Sequence, residues 1–262
     1  MESFESKASR TSLNSDAILQ ALEQVGQPHI LLDVRDSVGS TNDIVLDYRE
    51  QIRGGRIVAV TADEQVTGRG RLERQWTSPW GAGIALSLGV DAGRVTHAPT
   101  SVPLIVGLSV CEALDTFGIS SAVKWPNDVL LTKSAPGKVC GVLVQLINDV
   151  FVIGIGINCT LTQDELPTPL ATSLFLAGHH VEREILIAQV INRVLHNLLS
   201  SDDWMIAYTQ NSATIHTDVR VHLHGDSQVT GRAIGINPDG SLILDSTDGI
   251  HNITLGDVEH LR

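Results

Sequence analysis

KVCGVLVQLINDVFVIGIGIN, residues 138–158, consists of two apolar runs of strand length separated by Asn148-Asp149. Asn and Asp tolerate the backbone of a two-residue hairpin turn, so the stretch reads as two antiparallel strands joined tightly. Toward the N-terminus, RIVAVTADEQ and GAGIALSLGV read as further strands, and residues 101–117 as a long helix. SDAILQALEQV (15–25) has helical spacing behind a Ser or Asp cap, and apolar residues recur three and four apart from Val181 to about Leu199. Strands and helices in this order imply an α+β fold with an antiparallel or mixed sheet. After about Gln210 the texture becomes alternating, punctuated by Pro238-Asp239-Gly240 and Asp248-Gly249, which predicts a small all-β barrel of about fifty residues. The expected division is residues 1–212 and 213–262.

Charge narrows the partners. With 18 Lys+Arg against 30 Asp+Glu the formal net charge is -12, so the overall field repels nucleic acid and anionic membranes, and any anion site has to be local. Cys111, Cys140 and Cys159 are odd in number and lack CxxC spacing, which fits buried thiols in a reducing cytosol better than a disulfide framework or zinc ribbon. The N-terminal MESFESKASRTSLNSD lacks the basic and apolar regions of a signal peptide and reads as a frayed tail. The best membrane-span candidate, 141–157, is interrupted by Gln145, Asn148 and Asp149. A soluble, cytoplasmic protein is expected.

Several signatures are excluded. In VIGIGINC, Cys159 occupies the place of the third glycine of a dinucleotide fingerprint, and GKVCG lacks the upstream glycine and the hydroxyl residue of a P-loop. His222 and His224 would share one side of a strand, but without further ligands nearby they fit a solvated surface better than a metal site.

Four polar islands remain, each at the mouth of an apolar strand or helix: SerThrAsnAsp at 40–43, the loop TADEQVTGRGRLERQW at 61–76, LysTrpProAsnAsp at 124–128 and GlyIleAsn at 156–158, with Lys138 opening another strand. In the loop, Arg69, Arg71 and Arg74 sit among Gly68 and Gly70, and Trp76 closes it. Guanidinium forks suit carboxylate and phosphate oxygens, so the segment reads as a mobile loop that closes on an anion. The alternative is a solvated turn whose arginines pair with Asp63, Glu64 and Glu73. Trp125-Pro126 makes Asn127-Asp128 a rigid turn presenting an amide and a carboxylate.

SerThrAsn at 40–42, GRGRLERQW at 68–76, KWPNDVLL at 124–131, GKVCGVLVQ at 137–145 and GIGIN at 154–158 together resemble the biotin protein ligase family, most strongly over residues 35–175. The resemblance implies a mixed-sheet catalytic domain related to class II aminoacyl-tRNA synthetases and lipoate ligases, with a C-terminal SH3-like β domain. It also implies the non-repressor form, without an N-terminal DNA-binding domain. The implied reaction joins biotin to a lysine of a biotin carboxyl carrier domain of acyl-CoA or pyruvate carboxylase, through biotinyl-5′-AMP made from biotin and MgATP. By the same resemblance Lys138, Arg69, Arg71 and Asp128 are catalytic. Ser40, Thr41, Asn42, Gln65, Gly68 and Gly141 join Arg69, Arg71 and Lys138 around biotin. Arg71, Arg74, Trp76, Asn127, Lys138 and Asn158 surround ATP. No protein metal site, nucleic acid or membrane partner is implied, and the chain would be a monomer or homodimer.

Two positions depart from the family pattern: Glu73 where glycine is usual, and Gln145 where Glu is frequent. Glu73 bears on the closed geometry of the loop, and Gln145 keeps hydrogen bonding but loses charge. The rival readings are a lipoate or octanoate ligase or transferase, and a non-catalytic biotin or adenylate sensor. The retained Lys138, Asp128 and loop arginines argue against the sensor.

Overall fold

A computed structural model describes residues 10–71, 74–223 and 227–261. The expectations placed on Glu73, His224 and residues 1–9 lie outside that set. The chain opens with α1 (Ser15–Gln24), whose N-terminal amides at Asp16 and Ala17 are capped by the Asn14 side chain. Strand β1 (Leu31–Val38), two one-turn helices α2 (Thr41–Val45) and α3 (Arg49–Arg53), and strands β2 (Val58–Gln65) and β3 (Gly83–Asp91) follow. Helix α4 (Val102–Asp115) leads to β4 (Ser121–Lys124), β5 (Asp128–Leu131), β6 (Gly137–Ile147) and β7 (Val150–Asn158). Helices α5 (Arg183–Leu199) and α6 (Trp204–Gln210) complete this part.

These seven strands form one sheet in the order β1-β2-β3-β7-β6-β5-β4. Only β1 and β2 pair in parallel, which makes the sheet mixed. At its centre Asn148 and Asp149 both take positive φ, 48° and 64°, as a two-residue hairpin turn requires. One face of β3 and β7 carries large side chains, Ile84, Leu86 and Leu88 with Ile153, Ile155 and Ile157, all buried in the main core with α4 and α5. Their alternate neighbours on the other face are small: Ala85, Ser87 and Gly89 with Gly154 and Gly156.

The C-terminal strands β8 (Asp218–His222), β9 (Gln228–Ile236), β10 (Leu242–Ser246), β11 (Gly249–Ile253) and β12 (Asp257–His260) form a second, antiparallel sheet in the order β11-β10-β9-β8-β12. Its core residues Val219, Val221, Leu242 and Leu244 belong to the same apolar cluster as the main domain. The buried Trp125 indole donates to the Gly240 carbonyl (3.0 Å) in the turn between β9 and β10. The peptide bond between Trp125 and Pro126 is cis.

Residues 10–14 are not a frayed end. Arg10 donates to both carboxylate oxygens of Glu165, at 3.1 and 2.5 Å, and to the Thr160 carbonyl. The Leu13 amide donates to Asp63, whose buried carboxylate also pairs with Arg183 at 2.8 Å. Arg183 in turn donates to the Gly83 and Thr11 carbonyls. A polar segment is ordered here because it satisfies buried charges that would otherwise be unpaired.

Burial raises the Glu165 pKa, but the hydrogen bonds from Arg10 and Thr162 outweigh it and hold the carboxyl down to about 2. A carboxyl depressed below its unfolded value contributes stability above that value and loses it as pH falls toward the folded one. Glu165→Gln is therefore expected to flatten the acid limb of stability between about pH 4.5 and 2. Chemical denaturation across that range checks it; an unchanged slope would contradict the role given to Arg10.

Candidate functional site

A cavity of about 1030 Å3 opens over the small-residue face and is closed on one side by β12. Its lining includes Ser40, Thr41, Asn42, Gln65, Arg69, Arg71, Arg74, Trp76, Asn127, Asp128, Lys138, Gly141 and Asn158. All four polar islands thus converge, because strands β2, β5, β6 and β7 end or begin at its rim. Gly68 does not line the cavity. A Cβ there would lie 2.0 Å from Gln65 Nε2 and 2.2 Å from the Trp76 carbonyl, so its bareness lets the loop fold against Gln65.

Thr41, Asn42 and Gln65 build a buried polar end. The Gln65 side-chain oxygen accepts from the Thr41 amide (3.0 Å) and hydroxyl (3.2 Å), which orients its amide nitrogen. Ser87 Oγ lies 2.6 Å from both Thr41 Oγ1 and Asn42 Oδ1. Asn42 also donates to Gln145 at 3.3 Å, so the neutral residue at 145 has a hydrogen-bonding role.

The missing side chains of β6 and β7 are occupied by partners from elsewhere. A Cβ on Gly154 would sit 2.5 Å from Asn42 Oδ1, and one on Gly156 would sit 2.3 Å from the Trp76 ring. Gly156→Val is expected to expel that ring at a cost of roughly 1–3 kcal/mol, as overpacking does. Unfolding midpoints check this, because adding Trp76→Ala should recover most of the loss; a defect that Trp76→Ala leaves unrelieved would refute the contact.

Lys138 reaches the site through an irregularity. Gly141 and Lys138 are an odd number of residues apart, so a regular strand would put them on opposite faces. The register between β5 and β6 shifts between Val129 and Leu130, pairing Val129 with Cys140 but Leu130 with Lys138. That bulge places Lys138 on the cavity side with Gly141, as bulges beside functional sites do. Lys138 Nζ is 2.7 Å from Asp128 and 5.4 Å from the centre of the Trp76 ring. Asn127 is fixed alongside, donating to the Val142 carbonyl (2.7 Å), and Asn158 donates to the Thr172 carbonyl (2.9 Å).

Among the described residues, the loop arginines do not pair with Asp63 or Glu64. Asp63 is taken by Arg183 and Glu64 by Ser37. Arg69 pairs with Asp43, and Arg74 with Asp257 of β12. Arg71 approaches Asn127 (3.4 Å), the Gly256 carbonyl (3.3 Å) and Asp257 (3.8 Å). Burial, helped by the like charge of Arg74, lowers the Arg71 pKa against the opposing pull of Asp257 and Asp128.

Lys124 and Asp257 are among the cavity residues to which the sequence assigned no role. Lys124 ends β4 and lines the cavity; burial lowers its pKa, with Lys138 adding to the effect and Asp128 opposing it. Its place in the charged end of KWPND was the available signal. Asp257 had none, because its partners are 183 and 186 residues away in sequence, at Arg74 and Arg71. Among the described residues no three His, Cys, Asp or Glu side chains cluster to hold a metal. His222 contacts Glu259 at 3.2 Å instead.

The arrangement combines a buried hydrogen-bonding pocket, an aromatic ring and a charged end with Lys138, Arg71, Lys124 and Asp128. Such a cavity can hold a polar ring at one end and oppose two anions across a cation at the other. Comparison with known proteins agrees. Residues 34–161 match the Biotin/lipoate A/B protein ligase family and 218–261 the Biotin protein ligase C terminal domain. The chain is 32% identical to the biotin--[acetyl-CoA-carboxylase] ligase of Mycobacterium tuberculosis, covering 97% of each. It is 30% identical to the bifunctional ligase/repressor BirA of Escherichia coli, over 95% of this chain and 78% of that protein. The structure superposes on the Aquifex aeolicus biotin protein ligase in complex with biotin and ATP with a TM-score of 0.74, at 29% identity, covering 88% of this chain and 99% of that one. A polar pocket, a Trp-covered glycine floor and a lysine–aspartate pair, assembled by this fold and matched over nearly the whole chain, place it in the biotin protein ligase family.

Proposed function

We propose that this chain activates biotin with MgATP and transfers it to a lysine of a biotin carboxyl carrier domain. The observation that carries the reading is the Lys138–Asp128 pair, at 2.7 Å, lining the same cavity as the polar pocket and the loop arginines. In the first step a biotin carboxylate oxygen attacks the α-phosphorus of ATP and the bond to pyrophosphate breaks. Two anions approach only where cations screen them away from water, and Lys138 and Arg71 supply that screening. Thr41, Asn42 and Gln65 hold the ureido ring with Ser40, Trp76 packs on adenine, and Asn127, Asn158 and Arg74 contact the nucleotide. Arg69 and Gly141 border biotin. Closure of the arginine loop keeps water from the acyl-adenylate.

In the second step the carrier lysine amine attacks the biotinyl carbonyl, an amide forms and AMP leaves. Asp128 accepts the proton that the amine gives up. Magnesium enters with ATP, and Asp128 and Asp257 are the aspartates facing the cavity. The carrier belongs to an acyl-CoA or pyruvate carboxylase, the enzyme works as a monomer or homodimer in the cytoplasm, and residues 1–212 form its catalytic unit with 213–262 as the β domain. Free, buried Cys111, Cys140 and Cys159 support a reducing compartment, and no described helix is long and apolar enough to cross a membrane.

The test is AMP formation by purified protein with MgATP and an apo carrier domain, comparing biotin with lipoate and octanoate. Biotin-dependent AMP with biotin on the carrier is expected. Activity with lipoate or octanoate alone would overturn the substrate, and biotin binding without turnover would overturn the reaction.

A further inference from the structure

At the other end of the strands lies a second cavity, of about 510 Å3, walled by the α1–β1 and α3–β2 connections, the turn after β3 and the end of α5. Strand β2 starts beside it and ends at Gln65 in the first cavity, and its eight residues at about 3.3 Å each separate the two by roughly 25 Å. Four cationic or protonatable side chains line it, His29, Arg56, Arg94 and His196, and no Asp or Glu does.

That balance is unusual in a protein with a net charge of -12. Most described arginines sit in ion pairs with carboxylates, including Arg10, Arg35, Arg69, Arg74 and Arg183. Arg56 and Arg94 have no carboxylate partner among the described residues. Cations also complement the carbonyl ends of helices, and that accounts for His196 in the last turn of α5. It accounts too for the bond from Arg94 to the Gly55 carbonyl (2.9 Å), just beyond α3. It leaves Arg56 and the other Arg94 nitrogens uncompensated at the cavity wall.

We propose that this cavity binds a small polyanion carrying two or more phosphate or carboxylate groups. Two guanidinium groups offer paired donors to planar or tetrahedral anions, and two imidazoles add hydrogen bonds. Ile57 and Leu195 supply an apolar wall for the ligand's carbon or ester portion. The volume falls within the roughly 300–1,000 Å3 of small-molecule sites, and a concave recess of this size suits a small molecule better than a folded partner.

The test titrates the full chain with pyrophosphate and with citrate against ionic-strength-matched chloride, by calorimetry, in the wild type and in Arg56→Ala, Arg94→Ala and Arg71→Ala. Arg56 and Arg94 are exposed, so their variants are expected to fold, and thermal midpoints verify it. Saturable binding of either anion is expected, weakened about tenfold or more by Arg56→Ala and by Arg94→Ala but little changed by Arg71→Ala. Binding of pyrophosphate alone identifies a phosphate ligand, and of citrate alone a carboxylate ligand. No saturable binding, or binding that Arg71→Ala removes while the other two variants retain it, would overturn the site.

Discussion

Lys138→Ala is expected to slow biotin-dependent AMP formation by about 10³-fold while the protein stays folded. The side chain is part-exposed at 32%, so its loss removes little packing. Its loss does leave Asp128 facing the α-phosphate without its counter-ion, so repulsion is added to the missing screening. Lys124 and Arg71 do not take its place, because each is held by its own strand or loop. Lys138→Arg should restore only part of the rate, since a guanidinium is broader than the point charge that the bulge in β6 positions. Pyrophosphate exchange reads the first step directly. A fall of less than about tenfold would remove Lys138 from the chemistry.

Asp128→Asn is expected to cut transfer to the carrier lysine by about 10²- to 10⁴-fold and adenylation much less. Asparagine still accepts a hydrogen bond from Lys138, so the lysine keeps its place, but the amide cannot take a proton from the incoming amine. Single-turnover transfer from preformed biotinyl-AMP, set beside pyrophosphate exchange, separates the steps. Equal losses in both would mean that Asp128 acts only by holding Lys138.

Local chemistry made much of this legible. The Asn148-Asp149 turn, the strands on either side, and the helices near 101–117 and 181–199 all follow from composition over a few residues, and the structure places them within two residues of the expected ends. The short elements did not announce themselves. Strands β4 and β5 have four residues each and α2 and α3 five, fewer than a periodic pattern needs. The polar islands were visible because Gly, Asn, Lys and Trp stand out against apolar runs, but their partners were not. Arg69 finds Asp43 and Arg74 finds Asp257 only after the sheet has closed, and Asp63 and Glu64 are spent on Arg183 and Ser37. The bulge that turns Lys138 inward depends on how β5 meets β6, which neither strand encodes alone. The alternation of small and large residues in GIALSLG was present in the sequence and marks the two faces of β3.

The glycine and alanine floor has a consequence for how this pocket can change. Gly141, Gly154 and Gly156 are already the smallest residue available and Ala85 is one methyl group larger, so the floor sits near the lower limit of side-chain volume. Substitutions at the three glycines can only subtract room. A variant that accepts a bulkier acid must therefore be sought among the wall residues Leu143, Leu170 and Trp76, whereas a methyl group added at Gly154 or Gly156 displaces Asn42 or Trp76 first.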